Sequence, residues 1–103
     1  MFKNMTLDEL KTELEKRTEF RFKKKQDYIY GEILSAKNKK KEIEIQIGFA
    51  YYKISQKHFV EINIIDGYEI DISHIRHYES IDQIVVWLEI FAYTYFGSRA
   101  MNK

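Results

Sequence analysis

Cysteine is missing from this 103-residue chain, and so is proline. Without cysteine there is no disulfide, no thiol nucleophile, no iron–sulfur cluster and no cysteine-ligated zinc. Glycine is scarce, at positions 31, 48, 67 and 97, and these four form no phosphate-cradling loop. No Gly-x-Ser-x-Gly elbow and no His-Glu-x-x-His pair occurs, so two common catalytic frameworks are excluded. No apolar run approaches the roughly 18 residues that a membrane-spanning helix requires. The opening Met1-Phe2-Lys3-Asn4-Met5-Thr6-Leu7-Asp8 lacks the apolar core and small-residue cleavage site of a secretion signal. The expected compartment is the cytoplasm, with no membrane partner.

What is present is an ordinary domain composition, 45% hydrophobic and 32% charged, too apolar for a disordered chain. Its length predicts one domain over residues 1–103, with 98–103 as a flexible tail. Lys, Ile and Tyr are abundant and Ala is scarce, a usage that AT-rich codons produce; a bacterium of that kind, or its phages or plasmids, is the expected source. The net charge of +1 hides a polarised chain. Residues 1–57 hold 14 basic and 9 acidic side chains, whereas residues 58–103 hold 3 and 7. Such asymmetry points to a charged partner.

Local patterning predicts the elements. Thr6-Leu7-Asp8-Glu9 reads as a capping box, with Met5 and Leu10 placed as a hydrophobic staple. Leu7, Leu10 and Leu14 then make one apolar stripe, which predicts a helix over about 7–17. Phe20 and Phe22 alternate with Arg21 and Lys23 in a short strand or extended lead-in, and Tyr28 to Leu34 reads as a strand. Lys37-Asn38-Lys39-Lys40-Lys41 is expected to be an exposed hairpin loop. From Glu42 to Ile54, the residues Ile43, Ile45, Ile47, Phe49 and Tyr51 share one face of a half-buried strand. Gly48 is expected at a bulge or bend.

Ser55-Gln56-Lys57 is the expected next turn, followed by a strand with Val60, Ile62 and Ile64 facing inward. A three-residue loop, Ile65-Asp66-Gly67, would then pair Ile64 with Tyr68, Ile62 with Ile70 and Val60 with Ile72, keeping every apolar residue on one face. Ser80-Ile81-Asp82-Gln83 is a second capping box, and Ile81, Ile84, Val85, Leu88, Phe91, Ala92 and Tyr95 follow at helical spacing, with Gly97 as the cap. The predicted fold is α+β: an N-terminal helix, an antiparallel meander of about four strands, and a C-terminal helix, both helices on one sheet face.

Three groups of residues are candidates for function. On the final helix Val86, Trp87, Ile90 and Tyr93 widen the apolar arc beyond an ordinary surface stripe, which suits a protein interface or a homodimer contact. Arg21, Lys23, Lys24 and Lys25, with Lys37, Lys39, Lys40 and Lys41, form two basic clusters with Phe20, Phe22, Tyr28 and Tyr30 interleaved. Lysines beside aromatic platforms suit phosphate contact with single-stranded nucleic acid. A strand over 28–35 would hold the two clusters on the order of 25 Å apart, at about 3.3 Å per residue. Asp71, His74 and His77 are the third group, a weak metal-ligand spacing. Glu32, Glu42, Glu44 and Glu61 are expected on the solvated sheet face with lysine partners.

Helix–sheet–helix order is similar to that of double-stranded RNA-binding domains, but their second helix opens on lysines and this one opens Ser80-Ile81-Asp82-Gln83. No family is assigned from the residues. The expectation is a non-catalytic interaction module without cofactor or metal. It would act as an inhibitor or accessory factor by occluding a protein partner, with nucleic-acid binding by the lysines as the alternative.

Overall fold

A computed structural model of the chain describes residues 2–27, 31–38, 43–66, 69–70 and 76–91. The first helix, α1 (Leu7–Arg17), starts on the predicted box: Thr6 Oγ1 accepts from the Glu9 amide at 3.1 Å, and the Thr6 amide donates to Glu9 Oε1 at 2.9 Å. Side chains, not glycine, end it. Thr18 Oγ1 donates to the Leu14 carbonyl at 2.7 Å, and the Phe22 amide donates to Glu15 Oε2 at 2.8 Å. The chain leaves the helix with Phe20 and Phe22 buried, their rings stacked at 6.1 Å.

Four antiparallel strands follow as a meander: β1 (Lys23–Asp27), β2 (Gly31–Asn38), β3 (Ile43–Tyr52) and β4 (Lys57–Asp66). Two short strands, β5 (Glu69–Ile70) and β6 (Arg76–Tyr78), both pair with β4, and α2 (Ile81–Phe91) is the last element described. The α+β order expected from the sequence is therefore present.

Alternation decides the core. Leu34 and Ala36 of β2, Ile43, Ile45 and Ile47 of β3, and Val60, Ile62 and Ile64 of β4 share one face. Leu10 and Leu14 of α1 and Ile84, Val85 and Leu88 of α2 pack on that face in a single cluster. Both helices thus cover the same side. The opposite face is mixed: Ile33 and Phe59 are buried there beside Ser35 and Glu44.

Several boundaries differ from expectation. The basic stretch Lys23–Lys25 is itself a strand, and β2 runs through Lys37, which was expected in a loop. β3 ends at Tyr52, not Ile54, because the turn occupies Lys53-Ile54-Ser55-Gln56. Gln56 takes the left-handed conformation there, φ +53°. Gly48 makes no bulge and sits in a regular ladder opposite Glu61.

The loop after β4 is corrected as well. Asp66 pairs with Glu69 and Ile65 with Ile70, which leaves Gly67-Tyr68 as the connection. The expected three-residue loop assumed that only one face buries isoleucine. The second face also holds buried Ile33 and half-buried Ile65, so Ile65 is accommodated there with Ile70 as its backbone partner. The expected partners Tyr68 and Ile72 lie outside the described residues, as do Tyr28, Tyr30, Ala92, Tyr95, Gly97 and the 98–103 tail.

Candidate functional site

α2 carries the first candidate surface. Ser80 Oγ accepts from the Gln83 amide at 3.3 Å, the half of a capping box that starts the helix. The other half is altered, because Gln83 Oε1 accepts from the Glu79 amide rather than from Ser80. With Ile84, Val85 and Leu88 turned into the core, helical geometry sends Val86 and Ile90 to the outer side, one turn apart. They are 56% and 61% exposed. Trp87 is half-buried against the core, and Tyr93 lies outside the described residues. Asp82, Gln83 and Glu89 flank the stripe, all exposed, and α2 contains no basic residue. Asp82 Oδ1 accepts from Arg17 Nη2 at 2.6 Å, which ties the start of α2 to the end of α1.

The lysine clusters come out differently from the sequence expectation. β1 and β2 form a hairpin with Lys23 opposite Ser35 and Lys25 opposite Ile33. Lys37 stands two residues beyond Ser35 on the same face. Lys23, Lys25 and Lys37 are therefore neighbours on the sheet face away from the helices, not separate patches on the order of 25 Å apart as an extended run would place them. The hairpin brings Lys37, the described member of the second cluster, onto the same face as Lys23 and Lys25.

The same geometry removes two cations from that face. Lys24 points to the helix side, where its Nζ lies 3.1 Å from Asp8 Oδ1 and 3.9 Å from Glu32 Oε2. The Asp8 hydrogen bond and charge, with Glu32 behind them, hold the Lys24 ammonium above its ordinary pKa. Arg21 is structural: its Nη1 donates to the carbonyls of Glu15, Thr18 and Phe20 at 3.1, 3.4 and 2.8 Å, closing the end of α1. Lys39, Lys40 and Lys41 lie outside the described residues, in the stretch joining β2 to β3.

A carboxylate sits at the centre of the basic face. Glu44 is buried, with Ser35 Oγ donating to its Oε2 at 2.5 Å and Lys25 Nζ to the same oxygen at 3.2 Å. Burial pushes the Glu44 pKa up, but the hydrogen bonds from Ser35, Lys25 and Gln46 and the Lys25 charge outweigh it and hold it below its ordinary value. Glu61 shares this face, whereas Glu32 is turned to the helix side with Lys24 and Glu42 lies outside the described residues. Of the three described glutamates, Glu44 and Glu61 share a face and Glu32 does not.

Asp71 and His74 lie outside the described residues, as does the His77 side chain. Among the described residues no cluster of three His, Asp or Glu is arranged to hold a metal. No helix among them is long and apolar enough to cross a membrane.

A third surface was not anticipated. At the β3–β4 turn Ile54 is wholly exposed, and Tyr51 and Tyr52 behind it are about half exposed. Tyr51 lies against the His58 ring at 4.5 Å, and Tyr52 meets Phe59 edge-on at 4.5 Å. The two tyrosines sit on opposite faces of the hairpin, and Ile54 is the apex. The turn was expected at Ser55-Gln56-Lys57 and lies at Lys53-Ile54-Ser55-Gln56 instead; with Ser55 as its one common turn residue, the strand was read through Ile54 and its exposure was missed. A usable signal was charge: no acidic residue occurs from Ile45 to Val60.

Comparison with known proteins finds no match, whether among family models, curated proteins or solved structures.

Proposed function

We propose that the protein is a non-catalytic interaction module that binds another protein through the outer face of α2 and works by covering part of that partner's surface. The observation that carries this reading is the stripe of Val86 and Ile90 beside half-buried Trp87. Both side chains are largely exposed in the monomer, and burying a Val or Ile side chain contributes about 1.5–3 kcal/mol on association. Trp is a favoured interface anchor. Exposed Glu89 borders the stripe and would steer a basic partner surface toward it. A second copy of the chain is one such partner.

The test compares wild type with a Val86→Ser/Ile90→Ser double variant. Sedimentation velocity over a concentration series reads self-association. Affinity capture from the native host, each protein as bait, reads other partners. A dimer or a captured protein present with wild type and lost with the variant supports the reading. Identical behaviour of the two proteins removes it.

Nucleic-acid binding remains a second reading because of one specific observation, the hairpin register that gathers Lys23, Lys25 and Lys37 on one face. Opposing it is Glu44 in their midst, which engages Lys25. If the face binds a phosphate backbone, oligonucleotide affinity falls steeply with salt. Lys23→Glu/Lys37→Glu should then abolish binding, while the α2 variant leaves it intact. No binding at low salt eliminates this alternative.

A further inference from the structure

We infer that the β3–β4 hairpin is a membrane-surface probe, which inserts Ile54 at the headgroup–acyl boundary of an anionic bilayer. This goes beyond the α2 reading and does not depend on it. The apex is built for a water–lipid boundary in three respects. Ile54 is wholly exposed within the four-residue turn Lys53-Ile54-Ser55-Gln56, where it makes no contribution to the core. Tyr51 and Tyr52 stand one to two residues behind Lys53, on opposite faces of the hairpin. Tyrosine concentrates at membrane–water interfaces, its ring in the apolar zone and its hydroxyl among headgroups. Apolar groups at such a boundary settle about 5–10 Å into the headgroup–acyl region, next to the zone that tyrosine prefers.

Charge favours an anionic surface. Lys53 and Lys57 flank the apex and both are exposed. Lys57 Nζ lies 3.5 Å from Glu79 Oε1, an exposed pair, and His58 sits beneath Tyr51. Phe2 packs its ring 6.0 Å from Phe49, which brings the segment carrying Lys3 toward the same end of the sheet. Glu79 is the acid against three lysines, Lys3, Lys53 and Lys57, in this set. Packing is the third respect. Tyr51 rests against the His58 ring and Tyr52 against Phe59, while Gln56 closes the turn in a left-handed conformation that a residue with a Cβ rarely takes. No spanning helix is needed for such contact, because the hairpin only touches the interface.

The probe is vesicle co-sedimentation of the full chain, using phosphatidylcholine alone and phosphatidylcholine with about 30% phosphatidylglycerol, at lipid up to about 5 mM. The wild type is expected to partition onto the anionic vesicles, more weakly as salt rises, and not onto the neutral ones. Ile54→Ser should weaken partitioning about tenfold, and Lys53→Glu should weaken it as well. Ile54 is outside the core, so the variants fold, and a thermal midpoint within a few degrees of wild type checks this. An Ile54→Trp variant gives an independent readout, a blue shift and dequenching on anionic vesicles alone. No partitioning at about 5 mM lipid, or equal partitioning of wild type and Ile54→Ser, overturns the inference. Partitioning lost in the Val86→Ser/Ile90→Ser variant but retained in Ile54→Ser assigns the lipid contact to α2 and also overturns it. Binding of Ile54 to a protein pocket with no affinity for vesicles does so too.

Discussion

The two helices are each 11 residues long, begin on a hydroxyl cap and bury leucine into the same sheet face, yet their outer sides are opposites. On α1 every exposed position is polar or charged: Asp8, Glu9, Thr12, Lys16 and Arg17. Lys11 and Glu15 pair one turn apart at 3.2 Å, the arrangement that suits a solvated helix. On α2 the outer side carries Val86 and Ile90, and no internal ion pair can form because the helix has no basic residue. The stripe on α2 is therefore not the unavoidable result of packing a short helix on this sheet. α1 does the same structural task without one.

That comparison can be broken at its strongest point first. Leu14→Ala and Leu88→Ala both empty a fully buried site and should each cost about 2–5 kcal/mol in denaturant unfolding. A clearly smaller cost at Leu88 would mean that α2 is only loosely held and that its exposed stripe reflects partial docking.

The caps come next. Thr6→Ala removes one arm of a reciprocal box and should cost about 1 kcal/mol. Ser80→Ala, where the return arm is diverted to Glu79, should cost nearer 0.5 kcal/mol. Equal losses would show that the diverted Gln83 bond serves as well as the reciprocal one.

Acid sharpens the contrast further. The Thr6 backbone amide and hydroxyl hold the Glu9 carboxylate below its ordinary pKa. Its contribution is complete above the unfolded value of about 4.3 and is lost as pH falls through the lower folded value. Gln83 in the corresponding place on α2 does not titrate. Amide exchange at Thr6 should therefore gain relative to that at Glu79 as the pH drops below about 4, once both are corrected for intrinsic exchange. The smallest effect is at the surface. Val86→Ser and Ile90→Ser should change stability by about 0.5 kcal/mol or less, so any change in association reports the interface alone.

Elements set by local chemistry were legible in the sequence. The Thr6–Glu9 box and the Leu7, Leu10, Leu14 spacing predict α1 to the residue, and the alternation from Ile43 to Phe49 and from Val60 to Ile64 gives the helix-covered face. Elements set by pairing partners were not. Nothing local in Lys23-Lys24-Lys25 says that it folds back on Leu34, and the position of Lys37 near Lys23 was missed for that reason. The loop after β4 was misjudged because burial on the second face, at Ile33 and Phe59, arises only from the assembled sheet. Of the candidate interface, Val86 and Ile90 are exposed as the widened arc implied. Trp87 is instead partly absorbed by the core, since helical period alone does not tell how far a large ring can lean.

The edge of the sheet beyond β4 has one more consequence. From Ile70 to Arg76 the chain advances six residues, while the partner positions, Ile65 to Ile62, are only three apart. The outermost strand is thus cut into a two-residue and a three-residue piece whose registers disagree. Among the described residues, a neighbouring molecule adding a strand there would find only these two short, out-of-register pieces to copy. At the other edge it would meet Lys23, Lys24 and Lys25 in five exposed or half-exposed residues. Short edge pieces and edge lysines are features that oppose strand-to-strand polymerisation. They would let the protein display a fully exposed isoleucine and an apolar helix face at lower risk of association through its strands.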